Sequence, residues 1–256
     1  MIDIKEVQRI VREAANLFKD RDAATHIKEK GACDFVTAVD EAVQNYIQRE
    51  LNQIYPEIQF LGEESSETEV DMLGALWVLD PVDGTTNLIH DYKNSAISLA
   101  LLDQGEIIAG IVYDPYLNEM YRAQKGKGAF LNEKQIFVSK AMSLQDCLIT
   151  FGTSPYHKEE APNLFRKLEK IYMECQDIRR TGSAALDLAH VACGRIDAYF
   201  EKKLKIWDFA AGTLLVREAG GEVIDYTGKE RTMERMGDVV AGNQAITQIL
   251  ADILGD

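Results

Sequence analysis

The chain has 256 residues, of which 46% are hydrophobic and 27% charged, and its formal net charge is −14 at pH 7. The length suits one large domain or two small, closely packed ones, and the composition is that of an ordinary globular protein. The acidic balance argues against a nucleic-acid partner, because phosphate backbones are bound by basic surfaces; small phosphorylated substrates stay open, since they sense only the local field.

Ile4, Val7, Val11, Ala14 and Phe18 recur at helical spacing and predict an amphipathic helix. Asp20 to Cys33 is polar, has no clear period and reads as an exposed, mobile loop. A second helix starts near Val39, keeps Val43, Tyr46, Ile47 and Leu51 on one face, and ends by Pro56. Ile58 to Leu61 is a short strand that runs into Gly62–Glu63–Glu64–Ser65, and Glu67 to Asp71 is a charged surface loop. Leu76 to Leu79 is a buried strand. Residues 95–131 read as an antiparallel meander, with turn chemistry at Asp103–Gln104–Gly105 and Asp114–Pro115. From about residue 145 strands and helices alternate, ending in a helix from Ala245 to Leu254. This change divides the chain into an N-terminal α+β lobe, 1–144, and a C-terminal α/β lobe, 145–256.

Cys33, Cys147, Cys175 and Cys193 are widely spaced and form no zinc pattern, so they read as reduced thiols. The first residues have no signal-peptide layout, and no apolar run approaches the ~20 residues needed to span a bilayer. A cytoplasmic location and no membrane partner are the expectation.

The chemistry concentrates in Asp80–Pro81–Val82–Asp83–Gly84–Thr85–Thr86–Asn87. Two carboxylates follow an apolar strand directly, where an uncompensated charge is costly. Gly84 permits a tight turn, and Thr85, Thr86 and Asn87 are helix-start residues. Carboxylates hold hard cations such as Mg²⁺, and N–H groups at a helix start hold phosphate. Asp40, Glu63 and Asp208 are further acids that, taken singly, have ordinary structural readings. Lys202, Lys203 and Lys205 read either as a solvated turn or as a cationic cluster near substrate phosphate. There is no nucleotide-binding glycine loop, no paired-histidine zinc helix and no serine nucleophile elbow. Pro81 stands where an aspartyl-phosphate phosphatase carries its nucleophilic Asp, which disfavours a covalent intermediate.

These motifs, with Asp34–Phe35–Val36–Thr37–Ala38–Val39–Asp40, Trp207–Asp208–Phe209–Ala210–Ala211–Gly212 and Glu218–Ala219–Gly220–Gly221, resemble the inositol monophosphatase family in order and spacing over nearly the whole chain. The resemblance implies a layered α-β-α-β-α sandwich, a homodimer, and Li⁺-sensitive, Mg²⁺-dependent hydrolysis. It implies two to three Mg²⁺ ions held by Glu63, Asp80, the Val82 carbonyl, Asp83 and Asp208. Glu63, Thr85 and Asp40 would orient the attacking water, and Gly84, Thr85 and Thr86, beside Asp83, would cradle the phosphate. Gly182, Ser183, Ala184 and Glu201 would contact substrate hydroxyls, which fits a polyol phosphate such as inositol-1-phosphate. Lys205 departs from the histidine common in animal members. With Lys202, Lys203, Arg179 and Arg180 it keeps NADP(H), nucleotide 3′(2′),5′-bisphosphates and fructose-1,6-bisphosphate as alternative substrates.

Overall fold

The computed structural model describes residues 2–31, 34–65 and 69–255. The chain opens with helix α1 (Ile4–Ala14), whose Asp3 side chain caps the N–H of Lys5, and a 3₁₀ segment, Ala15–Lys19. The predicted single helix therefore ends four residues early and tightens.

The segment expected to be a loop is structured instead. It contains helix α2 (Arg21–Thr25) and strand β1 (Ile27–Gly31), which pairs antiparallel with β2 (Asp34–Thr37). Cys33 lies outside the described residues. Main-chain pairing organises this two-stranded ribbon, so hydrophobic periodicity could not reveal it. Helix α3 (Ala38–Ile54) follows at once, buries Val39, Val43, Ile47 and Leu51, and is closed by a capping box between Thr37 and Asp40.

Strands β3 (Gln59–Gly62), β4 (Leu76–Asp83), β5 (Ala96–Asp103), β6 (Glu106–Asp114), β7 (Glu119–Gln124), β8 (Ala129–Leu131) and β9 (Lys134–Gln135) form one sheet in chain order. Only the β3–β4 pair is parallel. Between β4 and β5 sits the short helix α4 (Thr85–Ile89). Of the surface loop expected at Glu67 to Asp71, Glu67 and Thr68 lie outside the described residues.

The second sheet has the order β11-β10-β12-β14-β13. Its strands are β10 (Leu148–Phe151), β11 (Asp177–Arg179), β12 (Ala198–Lys205), β13 (Glu222–Ile224) and β14 (Met236–Gly242). They alternate with α5 (Ala161–Glu174), α6 (Ala184–Ala192), α7 (Ile206–Glu218) and α8 (Gln244–Gly255).

Three apolar clusters define the layers. α1 and α3 cover one face of the seven-stranded sheet. α6 and α7 are packed between the two sheets, which is why nearly all of both helices is buried and α7 has no polar stripe. α5 and α8 cover the outer face of the five-stranded sheet. The result is the expected α-β-α-β-α sandwich. Strand β12 runs through to Lys205. Lys202, Lys203 and Lys205 therefore lie on a strand with a bulge between Glu201 and Leu204, not on a turn. Among the described residues no helix is long and apolar enough to cross a membrane.

Candidate metal and phosphate site

The site lies where β4, α6 and α7 meet. Asp80 is in the last turns of the ladder that pairs β4 with β5, opposite Ser98. Ser98 Oγ donates to the carbonyl of Trp207 (3.0 Å), which fixes the start of α7 against the same sheet. Asp208, in the first turn of α7, accepts from the Lys205 N–H (2.7 Å). Asp83 ends β4 after a register shift. Its Oδ2 accepts from the Ser183 hydroxyl and the Ala185 N–H (2.8 Å), both at the start of α6.

One carboxylate oxygen from each of Asp80, Asp83 and Asp208 lies within 4.8 Å of the others. Asp80 and Asp83 are buried and Asp208 is half-buried. Burial, followed by the charges of Glu63, Asp83 and Asp208, pushes the Asp80 carboxyl well above the ordinary range. Burial, then Glu63 and Asp83, does the same to Asp208. Asp83 is also raised, with burial outweighing its Ser183 and Ala185 donors. Among the described residues no ion pair relieves these three acids. A buried group of like charges without a counter-charge is a site short of positive charge, and hard oxygen donors suit Mg²⁺. The donor set therefore fits the expected metal.

Glu63 opens a 3₁₀ turn, Glu63–Ser65, at the end of β3 and acts electrostatically on both Asp80 and Asp208. Gln44 on α3 holds this turn. Its Oε1 accepts from the Glu64 N–H (3.1 Å) and its Nε2 donates to Ser65 Oγ (3.3 Å).

Asp40 and Thr85 meet across 45 residues of chain, with Thr85 Oγ1 donating to Asp40 Oδ1 (3.0 Å). The other Asp40 oxygen accepts from the Thr37 N–H (2.9 Å) and hydroxyl (2.5 Å). Burial raises the Asp40 carboxyl, against the pull of these donors. Thr85 Oγ1 also lies 3.1 Å from the Val82 carbonyl. Gly84 has φ of 92°, a left-handed conformation that a Cβ would strain, and it turns the chain so that α4 starts beside the carboxylates. Thr86 is exposed on α4. The first N–H groups of a helix have no intrahelical acceptor, so those of Gly84, Thr85 and Thr86 form a ready anion cradle.

The cradle is braced by the segments before β5 and α6. Asn87 Nδ2 donates to the carbonyls of Asn94 (2.7 Å) and Thr181 (3.0 Å), and Gly182 follows Thr181 directly. Ser183, expected as a substrate contact, caps α6 and donates to Asp83, and Ala184 begins the helix.

Glu201 is buried beneath residues 152–154. It accepts from the Ser154 N–H (2.8 Å) and the Tyr199 hydroxyl (2.7 Å). Burial raises its carboxyl, against these donors. A Cβ on Gly152 would collide with the Glu201 carboxylate. Gly152→Ala is therefore expected to raise KM for a polyol phosphate about tenfold while leaving Mg²⁺ affinity unchanged. An unchanged KM in steady-state kinetics would separate Glu201 from substrate.

The expected cationic cluster is dispersed. Lys203 pairs with Glu160, Arg179 with Asp177 (2.5 Å), and Arg180 Nη2 donates to Thr153 Oγ1 (3.2 Å). Lys202 lies 5.3 Å from the centre of the Tyr226 ring. Lys205 is exposed at the start of α7.

Gln44, Ser98, Gly152, Ser154 and Tyr199 had no sequence signal as site residues. Each acts through a contact distant in sequence or through a main-chain group, and only Gly152, near a strand end, could have drawn notice.

Known proteins resemble the chain over nearly its whole length. The "Nus factor SuhB" of Escherichia coli strain K12 is 42% identical over 245 residues, 94% of this chain and 91% of that protein. The "Inositol-1-monophosphatase" of Rhizobium meliloti is 38% identical over 250 residues, 97% of this chain and 94% of that one. The crystal structure of the extragenic suppressor protein suhB from Bartonella henselae superposes with a TM-score of 0.89 at 35% identity, covering 98% of both chains. The model of the inositol monophosphatase family matches residues 2–255, and the chain belongs to that family.

Proposed function

We propose that the chain is a Mg²⁺-dependent phosphomonoesterase that hydrolyses a small polyol phosphate, inositol-1-phosphate foremost, by direct attack of water. The observation that carries this reading is the convergence of Asp80, Asp83 and Asp208 beside the Asp40–Thr85 pair. Two to three Mg²⁺ ions, held by Glu63, Asp80, the Val82 carbonyl, Asp83 and Asp208, would lower the pKa of water and neutralise charge on the phosphoryl group and the leaving oxygen.

The chain's own groups supply orientation. Thr85 directs its hydroxyl hydrogen to Asp40, so its remaining lone pairs face outward as acceptors for a water proton. Glu63 supplies a second acceptor for that water. The N–H groups of Gly84, Thr85 and Thr86 hold the non-reacting phosphate oxygens. Glu201, kept in place by Ser154 and Tyr199, accepts from a substrate hydroxyl. Gly182, Ser183 and Ala184 shape the wall opposite. The working form is a cytoplasmic homodimer, with a solution mass twice the chain's 28.7 kDa.

Relatives at similar identity carry two different names, a Nus factor and an inositol-1-monophosphatase, so their names do not choose the substrate. The dispersal of Lys203, Arg179 and Arg180 into other contacts supports a singly phosphorylated polyol over a leaving group with further phosphates.

The test is phosphate release with Mg²⁺, with and without Li⁺, from inositol-1-phosphate, NADP, 3′-phosphoadenosine-5′-phosphate and fructose-1,6-bisphosphate. The highest kcat/KM is expected for inositol-1-phosphate. Lys205→Ala should change that value by less than about threefold, a difference of well under 1 kcal/mol. A preference for NADP or a bisphosphate, lost selectively in Lys205→Ala, would replace the polyol reading.

A further inference from the structure

The phosphate cradle is followed at once by a strained turn, and that turn walls a cleft that hydrolysis does not use. Asp91 and Lys93 both have left-handed backbone, with φ of 52° and 59°. Residues with a Cβ hold this conformation only where surrounding bonds over-determine it, and such segments collect at ligand clamps and switches. Here the bonds run to the cradle. The Tyr92 N–H donates to the Asn87 carbonyl (2.8 Å), Asn87 Nδ2 to the Asn94 carbonyl (2.7 Å), and Ser95 Oγ to the Gly84 carbonyl (2.8 Å). Both ends of the 91–95 turn are thus tied to residues 84 and 87.

On its other side the turn faces the 3₁₀ segment and the β6–β7 connection across a cleft of about 330 Å³. Phe18 and Tyr116 form an apolar floor, edge to face with centroids 6.2 Å apart, and Pro115 lies beside them. Lys19, Lys93 and Asp91 complete the lining, giving the cleft one net positive charge in a chain of net charge −14. Lys19 donates to Asn16 Oδ1 (3.1 Å), which uses one of its three N–H groups. Lys93 forms no ion pair among the described residues. The volume is that of a small-ligand pocket. An apolar aromatic pair edged by two ammonium groups suits an anionic ring compound.

We infer that this cleft is a second ligand site, for a small organic monoanion built on a flat apolar ring, and that its occupation is communicated to the phosphate cradle through the 91–95 turn. The inference does not depend on the hydrolytic reading, so its test uses the full chain without Mg²⁺ or phosphate ester. Benzenesulfonate is titrated by calorimetry and by backbone-amide NMR, with sulfate and benzyl alcohol as the anion-only and ring-only controls. Saturable binding in the millimolar range or tighter is expected, about tenfold weaker for each control and about tenfold weaker in Lys19→Met and in Lys93→Met. Both lysines are exposed, so the variants should keep the wild-type Tm. The amides of Gly84 to Asn87 should shift together with those of Tyr92 to Ser95. No saturable binding, or equal binding by wild type and both lysine variants, overturns the site. Shifts confined to the floor and the 3₁₀ segment overturn the communication.

Discussion

Asp83→Asn is expected to reduce Mg²⁺-dependent phosphate release by about a thousandfold or more, a loss of about 4 kcal/mol in transition-state stabilisation. Metal-free, the same variant should melt no lower than the wild type. The two halves have one cause. Asp83 is one of three acids gathered within 4.8 Å; burial raises all three carboxyls, and the charge of Asp83 raises those of Asp80 and Asp208 further. A carboxyl raised in the folded state contributes stability below its unfolded pKa and loses it as pH rises through the folded value. At neutral pH the metal-free cluster therefore opposes folding. Asparagine removes one charge, and its carbonyl oxygen can still accept from Ser183 and Ala185. Phosphate release and thermal melting in chelator measure both halves. A variant that keeps activity would remove Asp83 from the metal set. A variant inactive only because its Tm collapses would make Asp83 a structural residue.

The Asp40–Thr85 pair carries the second large effect. Thr85→Ala removes the hydroxyl proposed to orient the attacking water and should lower kcat by about a hundredfold or more, with KM within a few fold. Thr85→Ser should restore most of the rate. Asp40→Asn separates orientation from packing. Its oxygen can still accept from the Thr37 N–H and hydroxyl, so the capping box of α3 survives. Its amide would then point a donor at Thr85 Oγ1 and reverse the hydrogen bond. The kcat should fall about as far as in Thr85→Ala, with Tm within a few degrees. Combining Asp40→Asn with Thr85→Ala should add little further loss, because the two act as a unit. Full additivity would show that they act independently.

The readable parts of the sequence share a physical character. Asp80 to Asn87 compresses a buried strand, two acids, a glycine turn and a helix start into eight residues, so its chemistry is local. The meander and the helices α3, α5 and α8 carry an apolar period that burial imposes. The segment 20–37 carried no such signal, because its two-stranded ribbon is held by main-chain pairing. The extension of β12 through Lys202 and Lys203 was hidden for a related reason. Its bulge breaks the two-residue alternation, and charged residues mask an edge that continues to pair with β14. Of the cations in that stretch, Lys203 pairs with Glu160, Lys202 lies over the Tyr226 ring and Lys205 is exposed. The bond from Ser183 to Asp83 was not legible from its place in a motif. That bond spans 100 residues and has no local trace.

The central claim is that Asp80, Asp83 and Asp208 gather divalent metal for phosphate hydrolysis. Anomalous diffraction from crystals grown with Mn²⁺ in place of Mg²⁺ tests it most directly. Peaks coordinated by these three carboxylates, with a further one bounded by Glu63, are expected in the wild type, and the peak contacting Asp83 should be lost in Asp83→Asn. A wild-type map without an anomalous peak at these carboxylates, from crystals that hydrolyse the phosphate ester, would contradict the account.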